Sequence, residues 1–271
     1  MSEAILEVRN YSGAFRSATG DLTPILEDVS YRLKTGAMTA VVGETGSGKS
    51  LTALSVLGLQ PATFVRTSGE ILFKGRNLVT LEEREIRAVR GAQISMVFQD
   101  ARAAMNPVFT VGSQLADVYR LHHGSSKREA MAKAIDALRR VYIPEPERRA
   151  RQYPHEFSGG MAQRAMIALA ALICQPQLLI LDEPTTGLDV TIQAEIMELI
   201  VDLTKNSGLT TCLITHDLGV VAETCDEVVV MNSGRVLETA SAEAIFTAPQ
   251  NPYTRKLLAA SQLVQSEAEA A

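Results

Sequence analysis

The chain has 271 residues, 46% of them hydrophobic and 21% charged, which is ample apolar material for one large domain or two smaller ones and argues against disorder. A net charge of -5 and a pI near 5.5 give no general electrostatic reason to bind nucleic acid. Three cysteines, Cys174, Cys212 and Cys225, show neither metal-ligand spacing nor an even set for disulfides, so they read as buried free thiols of a reducing compartment. No basic-then-apolar leader opens the sequence, and the longest apolar run, 165–174, is far shorter than the roughly 20 residues that span a bilayer. The expectation is a soluble chain that reaches a membrane only through a partner.

In chain order, 5–9 and 26–33 alternate apolar and polar residues, predicting half-buried antiparallel strands. Between them 11–23 reads as a loop carrying two aromatics, Tyr11 and Phe15, each able to stack on a base or to sit in a core. Residues 38–42 form a continuous apolar strand and 50–57 a helix. A strand at 69–73 ends in a turn at 74–77, and a charged helix at 81–90 is stopped by Gly91. The β-rich run 94–98 is followed by Gln99, which on its own is surface filler.

Residues 111–143 are helical in character, with a capping box at Ser126 to Glu129 and with Pro144 and Pro146 closing the helix that it opens. Phe157 to Arg164 leads into an alanine-rich helix ending near Cys174. A strand at 178–181, a helix at 191–205 capped by Gly208, a strand at 210–215, a short helix from Asp217 and a strand at 227–231 follow. Ser233-Gly234 turns into 235–238. Helical pieces near 242–246 and 253–263 precede an acidic, alanine-rich tail that is expected to fray. Alternating strands and helices predict an α/β fold with a parallel sheet, an antiparallel β region before it and an inserted helical block.

Gly43-Glu44-Thr45-Gly46-Ser47-Gly48-Lys49-Ser50 fits the phosphate cradle G-x-x-x-x-G-K-[ST] between a strand and a helix, the setting the motif requires. Glycines let the backbone approach phosphates, successive N–H groups and the helix N-terminus face the negative charge, Lys49 adds a point charge and Ser50 offers an oxygen to Mg²⁺. Leu51 belongs to the same nucleotide-binding stretch. Asp182-Glu183 closes a buried strand at its carboxyl end, where ligands bind in open α/β sheets. Asp182 is suited to holding Mg²⁺ through its water shell and Glu183 to polarising the water that attacks a γ-phosphate, although such pairs elsewhere serve as helix caps or turns. Ser158-Gly159-Gly160 opening an apolar helix is either a second anion-binding device or an ordinary capped helix.

As a set, Gly43 to Ser50, Gln99, Ser158-Gly159-Gly160, Leu178 to Glu183, Asp189 and His216 resemble the nucleotide-binding subunit of ATP-binding-cassette (ABC) transporters over nearly the whole chain. The resemblance implies one ABC ATPase domain. Its P-loop NTPase core, with the antiparallel β subdomain, occupies 1–98 and 175–240, a helical signature subdomain 99–174, and a C-terminal helical segment 241–271. It implies ATP and Mg²⁺ as ligands, Walker A at Gly43 to Ser50, Walker B completed by Asp182, and Glu183 as catalytic base. Gln99 then touches Mg²⁺ and begins the segment that meets the membrane subunit, Ser158-Gly159-Gly160 is the signature motif, Asp189 the D-loop acid and His216 the switch histidine near the γ-phosphate. By register after Val8-Arg9-Asn10, Phe15 rather than Tyr11 matches the aromatic that stacks on adenine.

The finer likeness is to importers of dipeptides, oligopeptides and nickel complexes. It is carried by Phe98-Gln99-Asp100 with Met105 to Gly112, by Ser158 to Arg164, and by Asn251-Pro252-Tyr253-Thr254-Arg255. It implies an ATPase peripheral on the cytoplasmic face of the inner membrane that pairs head to tail with a second, distinct ATPase subunit. That pair works on two transmembrane permease subunits and, indirectly, with an extracytoplasmic substrate-binding protein; nucleic acid is not an expected partner. Met161 stands where most cassettes have glutamine and resembles one of the two paired ATPases, while Ala101 and Leu169 replace the proline and arginine of many relatives. Without a cysteine after Cys225, no iron-sulfur cluster is expected. The alternatives are an exporter cassette, which leaves the C-terminal segment unexplained, and a soluble cassette ATPase of DNA repair or translation. The latter usually carries tandem cassettes or a long coiled-coil insertion, and the sequence has neither.

Overall fold

Two strands of thirteen residues open the fold, β1 (Ala4–Arg16) and β2 (Leu22–Lys34). In this computed structural model, which describes residues 3–269, they pair antiparallel, so most of the loop expected over 11–23 is strand. The correction has a local cause. Register shifts between Val8 and Tyr11 and again between Tyr11 and Gly13 accompany Asn10 at φ 48°, and such bulges break the two-residue alternation that marks a strand in a sequence.

The chain continues through β3 (Met38–Val42), α1 (Lys49–Val56), β4 (Phe64–Phe73), β5 (Arg76–Asn77), α2 (Glu83–Val89), β6 (Ile94–Val97) and α3 (Ala101–Ala104). Next come α4 (Val111–His123), α5 (Lys127–Arg140), α6 (Pro146–Arg149), α7 (Gly159–Ile167), β7 (Leu178–Asp182) and α8 (Val190–Ser207). The last elements are β8 (Thr210–Thr215), α9 (Leu218–Thr224), β9 (Glu227–Asn232), β10 (Arg235–Ser241), α10 (Ala242–Thr247) and α11 (Pro252–Glu269). The tail expected to fray beyond Leu263 is helical as far as Glu269, and its last two residues, Ala270 and Ala271, lie outside the described residues.

Two compact units emerge, one of Met1–Arg87 with Thr210–Ala271 and one of Ala88–Leu209. The first holds an antiparallel sheet in the order β2-β1-β4-β5 and a second set of strands in the order β10-β9-β3-β8. There β3 runs parallel to both neighbours, while β10 is an antiparallel edge. Every residue of β3 and β8 is buried, which explains why neither strand shows the apolar-polar alternation of a half-exposed strand. The second unit pairs β6 with β7 in parallel and contributes the helices α4, α5, α7 and α8. Helix α7 continues over Ala168–Ile173 in wider π-type turns. All three cysteines are buried and outside any disulfide. Among the described residues no helix is long and apolar enough to cross a membrane.

Candidate nucleotide site

In the first unit the phosphate loop leaves the carboxyl end of β3. The pairing Val42↔Thr215 sets β3 and β8 in register, so Gly43 and His216 are each the next residue along adjacent parallel strands. His216 is exposed there, ahead of Asp217, which caps α9 by accepting from the Val220 N–H at 3.1 Å. The expected loop and switch histidine are thus brought to one strand end, the crevice position of open α/β sheets.

The loop itself is tightly determined. Gly43 stands at φ +150°, and a Cβ there would lie 2.0 Å from the Met231 carbonyl oxygen. Gly48, at φ 99°, is the N-cap of α1, a left-handed position that suits glycine. The buried Lys49 ammonium donates to the Gly43 and Glu44 carbonyls at 2.8 and 2.9 Å, folding back on its own loop. Ser50 and Leu51 form the first turn of α1, whose N-terminal N–H groups lack helical acceptors and favour an anion. At the end of β1, Phe15 is half-buried with its ring edge-on to Phe64, centroids 5.7 Å apart, whereas Tyr11 is closed into the core at 1% exposure.

The second unit brings together the remaining predicted residues in two groups. At the ends of the β6–β7 pair, Val97↔Leu181 register puts Gln99 level with Glu183, and the Gln99 Nε2 donates to Glu183 Oε2 at 3.2 Å. Glu183 has φ 47°, a left-handed conformation uncommon for a side chain other than glycine, asparagine or aspartate, and Thr186 Oγ1 donates to the same carboxylate oxygen at 2.8 Å. Asp182, the last residue of β7, is buried. Thr186 escaped the sequence reading because a threonine three residues past an acid is a common turn residue.

The other group is a cavity of about 500 Å³ lined by Ser158, Gly159, Gly160 and Asp189 together with Met161 and Arg164, among others. Ser158 caps α7 by accepting from the Met161 N–H at 3.2 Å, and Asp189 caps α8 by accepting from the Ile192 N–H at 3.0 Å. Gly160 packs closely on α8, since a Cβ there would come within 2.7 Å of Ile192 Cγ2 and would push that side chain aside. Arg164 ties the two helices by pairing with Glu195 at 2.5 Å, and its other guanidinium arm donates to the Val141 carbonyl at 3.1 Å.

Each unit offers hard oxygens of the kind that Mg²⁺ takes, the Ser50 hydroxyl in the first and the Asp182 carboxylate and Gln99 carbonyl in the second. In Gln99 the amide nitrogen is engaged with Glu183, which leaves its carbonyl oxygen for a cation.

The sequence profile of the ABC transporter family matches residues 26–186. A probable peptide ABC transporter ATP-binding protein of Sinorhizobium fredii, y4tR, is 52% identical over 95% of this chain and 76% of its own length. The oligopeptide transport ATP-binding protein OppD of Salmonella typhimurium is 46% identical over 98% of this chain and 78% of its own. A solved ATP-binding cassette, dimeric in a post-hydrolysis state with ADP and Pi, superposes with a TM-score of 0.78 at 25% identity, covering 88% of this chain and 98% of that one. With the profile spanning more than half of the chain and close relatives aligned along nearly all of it, the chain belongs to the ABC transporter family, as one of its nucleotide-binding ATPase subunits.

Proposed function

We propose that this ATPase powers an importer of peptides or related small solutes such as nickel complexes, on the cytoplasmic face of the inner membrane. The observation that carries the cargo class is the 52% and 46% identity, over nearly the whole chain, to proteins named for peptide and oligopeptide transport. The exposed apolar pair Val108 and Phe109, in the segment after Gln99, supports docking on a permease subunit there.

In this reading one ABC ATPase domain spans both compact units. Lys49 leaves the Gly43 and Glu44 carbonyls for the phosphates, while Ser47 to Leu51 offer backbone N–H groups. Phe15 stacks on adenine. Asp182, Gln99 and Ser50 would hold Mg²⁺, which would supply neutralisation of charge on the phosphate oxygens. Glu183 takes a proton from water as its oxygen attacks the γ-phosphorus and the bond to the leaving ADP oxygen breaks, with His216 at the γ-phosphate. Ser158-Gly159-Gly160 and Asp189 face the nucleotide of a second ATPase subunit, paired head to tail. The triphosphate closes that pair and hydrolysis reopens it.

Co-expression with two permease subunits and reconstitution in vesicles tests the proposal. ATP hydrolysis should rise when a peptide-loaded binding protein is added outside. Hydrolysis that ignores permeases, binding protein and peptide would contradict it.

A further inference from the structure

The segment Asn251 to Arg255 is fastened to β10 and reaches the phosphate loop, two facts that family resemblance alone leaves without a purpose. Glu238 of β10 accepts from the Gln250 and Asn251 N–H groups at 2.7 and 3.0 Å, and the Asn251 amide donates to the Leu237 carbonyl at 3.3 Å. Asn251 Oδ1 accepts from the Tyr253 N–H at 2.8 Å, which caps α11 ahead of Pro252, and Arg255 donates to the Pro249 and Gln250 carbonyls at 3.0 and 3.1 Å. Burial pushes the Glu238 carboxyl up, but these N–H donors, the neighbouring Thr254 hydroxyl and the Arg255 charge outweigh it and hold the group below its ordinary value. Thr254 is buried with its hydroxyl outside hydrogen-bond geometry, so its contribution is the field of a nearby dipole rather than a formed bond.

At the end of this clasp the Tyr253 hydroxyl accepts from the Glu44 backbone N–H at 3.4 Å. The same stretch of loop has its Gly43 and Glu44 carbonyls on the Lys49 ammonium, so phenol and ammonium grip opposite polar groups of one short segment. A second support acts further along, where the Gly234 N–H in the β9–β10 turn donates to the Ser47 carbonyl at 3.1 Å.

We infer that Tyr253 is a positioning residue for the nucleotide phosphates, acting through the Glu44 N–H to fix the entry of the phosphate loop and so the distance from which Lys49 reaches a ligand. Burial raises the phenol above its ordinary value, the Glu44 N–H lowers it and the Glu44 charge raises it again. The hydroxyl therefore keeps its proton at neutral pH, and the contact is not a pH switch in that range. The inference rests on Gly43 to Ser50 being the phosphate site.

The test is an equilibrium titration of the purified chain with ATP, ADP and AMP, for wild type, Tyr253→Phe, Glu238→Gln, the double variant and Lys49→Ala. Loss of one neutral hydrogen bond should weaken ATP and ADP about 2- to 10-fold and AMP much less, and in steady state the change should fall on KM more than on kcat. Glu238→Gln should act in the same direction and add nothing in the Tyr253→Phe background. An ATP affinity changed by less than about twofold in Tyr253→Phe, equal losses for ATP and AMP, or additive losses in the double variant would each overturn the inference. Unchanged ATP binding by Lys49→Ala would instead remove the phosphate reading beneath it.

Discussion

The Gln99 amide nitrogen donates to Glu183 Oε2 at 3.2 Å, so the carboxylate proposed as base is held by a side chain 84 residues away in sequence. Thr186 holds the same oxygen at 2.8 Å. Both contacts aim the carboxylate and both occupy a lone pair that would otherwise face water. Gln99→Ala should leave ATP binding in place and slow hydrolysis about 10- to 100-fold, because a small misplacement of a base is costly. Steady-state kinetics of the assembled transporter gives the answer, and a wild-type rate would show that the contact does not matter to catalysis.

Lys49 donates to two carbonyls inside the loop, and the proposed nucleotide binding would exchange these for phosphate contacts. Charge-assisted hydrogen bonds are worth about 1.5–3 kcal/mol, so Lys49→Ala should weaken ATP about 10- to 150-fold in a fluorescence titration. The fold should survive, as thermal melting would show.

Gly234 has φ +75°, and a Cβ there would sit 1.9 Å from the Ile25 carbonyl oxygen. Its own carbonyl accepts from the Glu27 N–H at 2.9 Å and the adjacent Arg235 pairs with Glu27, so the turn has little room to move. Gly234→Ala should therefore destabilise the chain by at least about 1–3 kcal/mol, the usual cost of a left-handed backbone for other residues before any clash is counted. Urea unfolding measures this, and an unchanged midpoint would refute it.

Burial pushes the Cys225 thiol from 9.0 up to about 11, with the Thr224 side chain lowering it in part and Asp226 raising it. Because the folded-state value lies above the unfolded one, the folded chain holds its proton longer, and stability falls as pH rises from about 9 to about 11. Buried Tyr31 and Cys174, also raised, act in the same direction. Cys225→Ala should flatten part of the decline in stability measured against pH by denaturant titration. The same burial predicts that Cys225 resists alkylation at pH 8 until the chain unfolds.

Features encoded within a few neighbouring residues were readable in advance. The phosphate loop needs its strand, glycines and lysine in one run, and Ser158 caps the helix that it precedes. Interactions across long separations were not. Gln99 alone resembles surface filler until β6 and β7 pair and set it opposite Glu183. The contact between Tyr253 and Glu44 spans 209 residues, and Glu238 accepts from the Gln250 N–H in the turn just before Tyr253. In β1, bulges around Asn10 removed the alternation from which the strand would have been read to its end. The antiparallel edge β10 was likewise invisible as such, since a short polar strand does not state the direction of its partner.

The most direct test of the account is Glu183→Gln in the assembled transporter, with ATP binding and single-turnover hydrolysis measured on the same sample. Removing a general base while keeping the side chain's shape should leave ATP affinity within about twofold and slow hydrolysis about 10²- to 10⁴-fold, with the ATPase pair held closed on its ATP. Hydrolysis near the wild-type rate would contradict the assignment of Glu183 and, with it, the proposed mechanism.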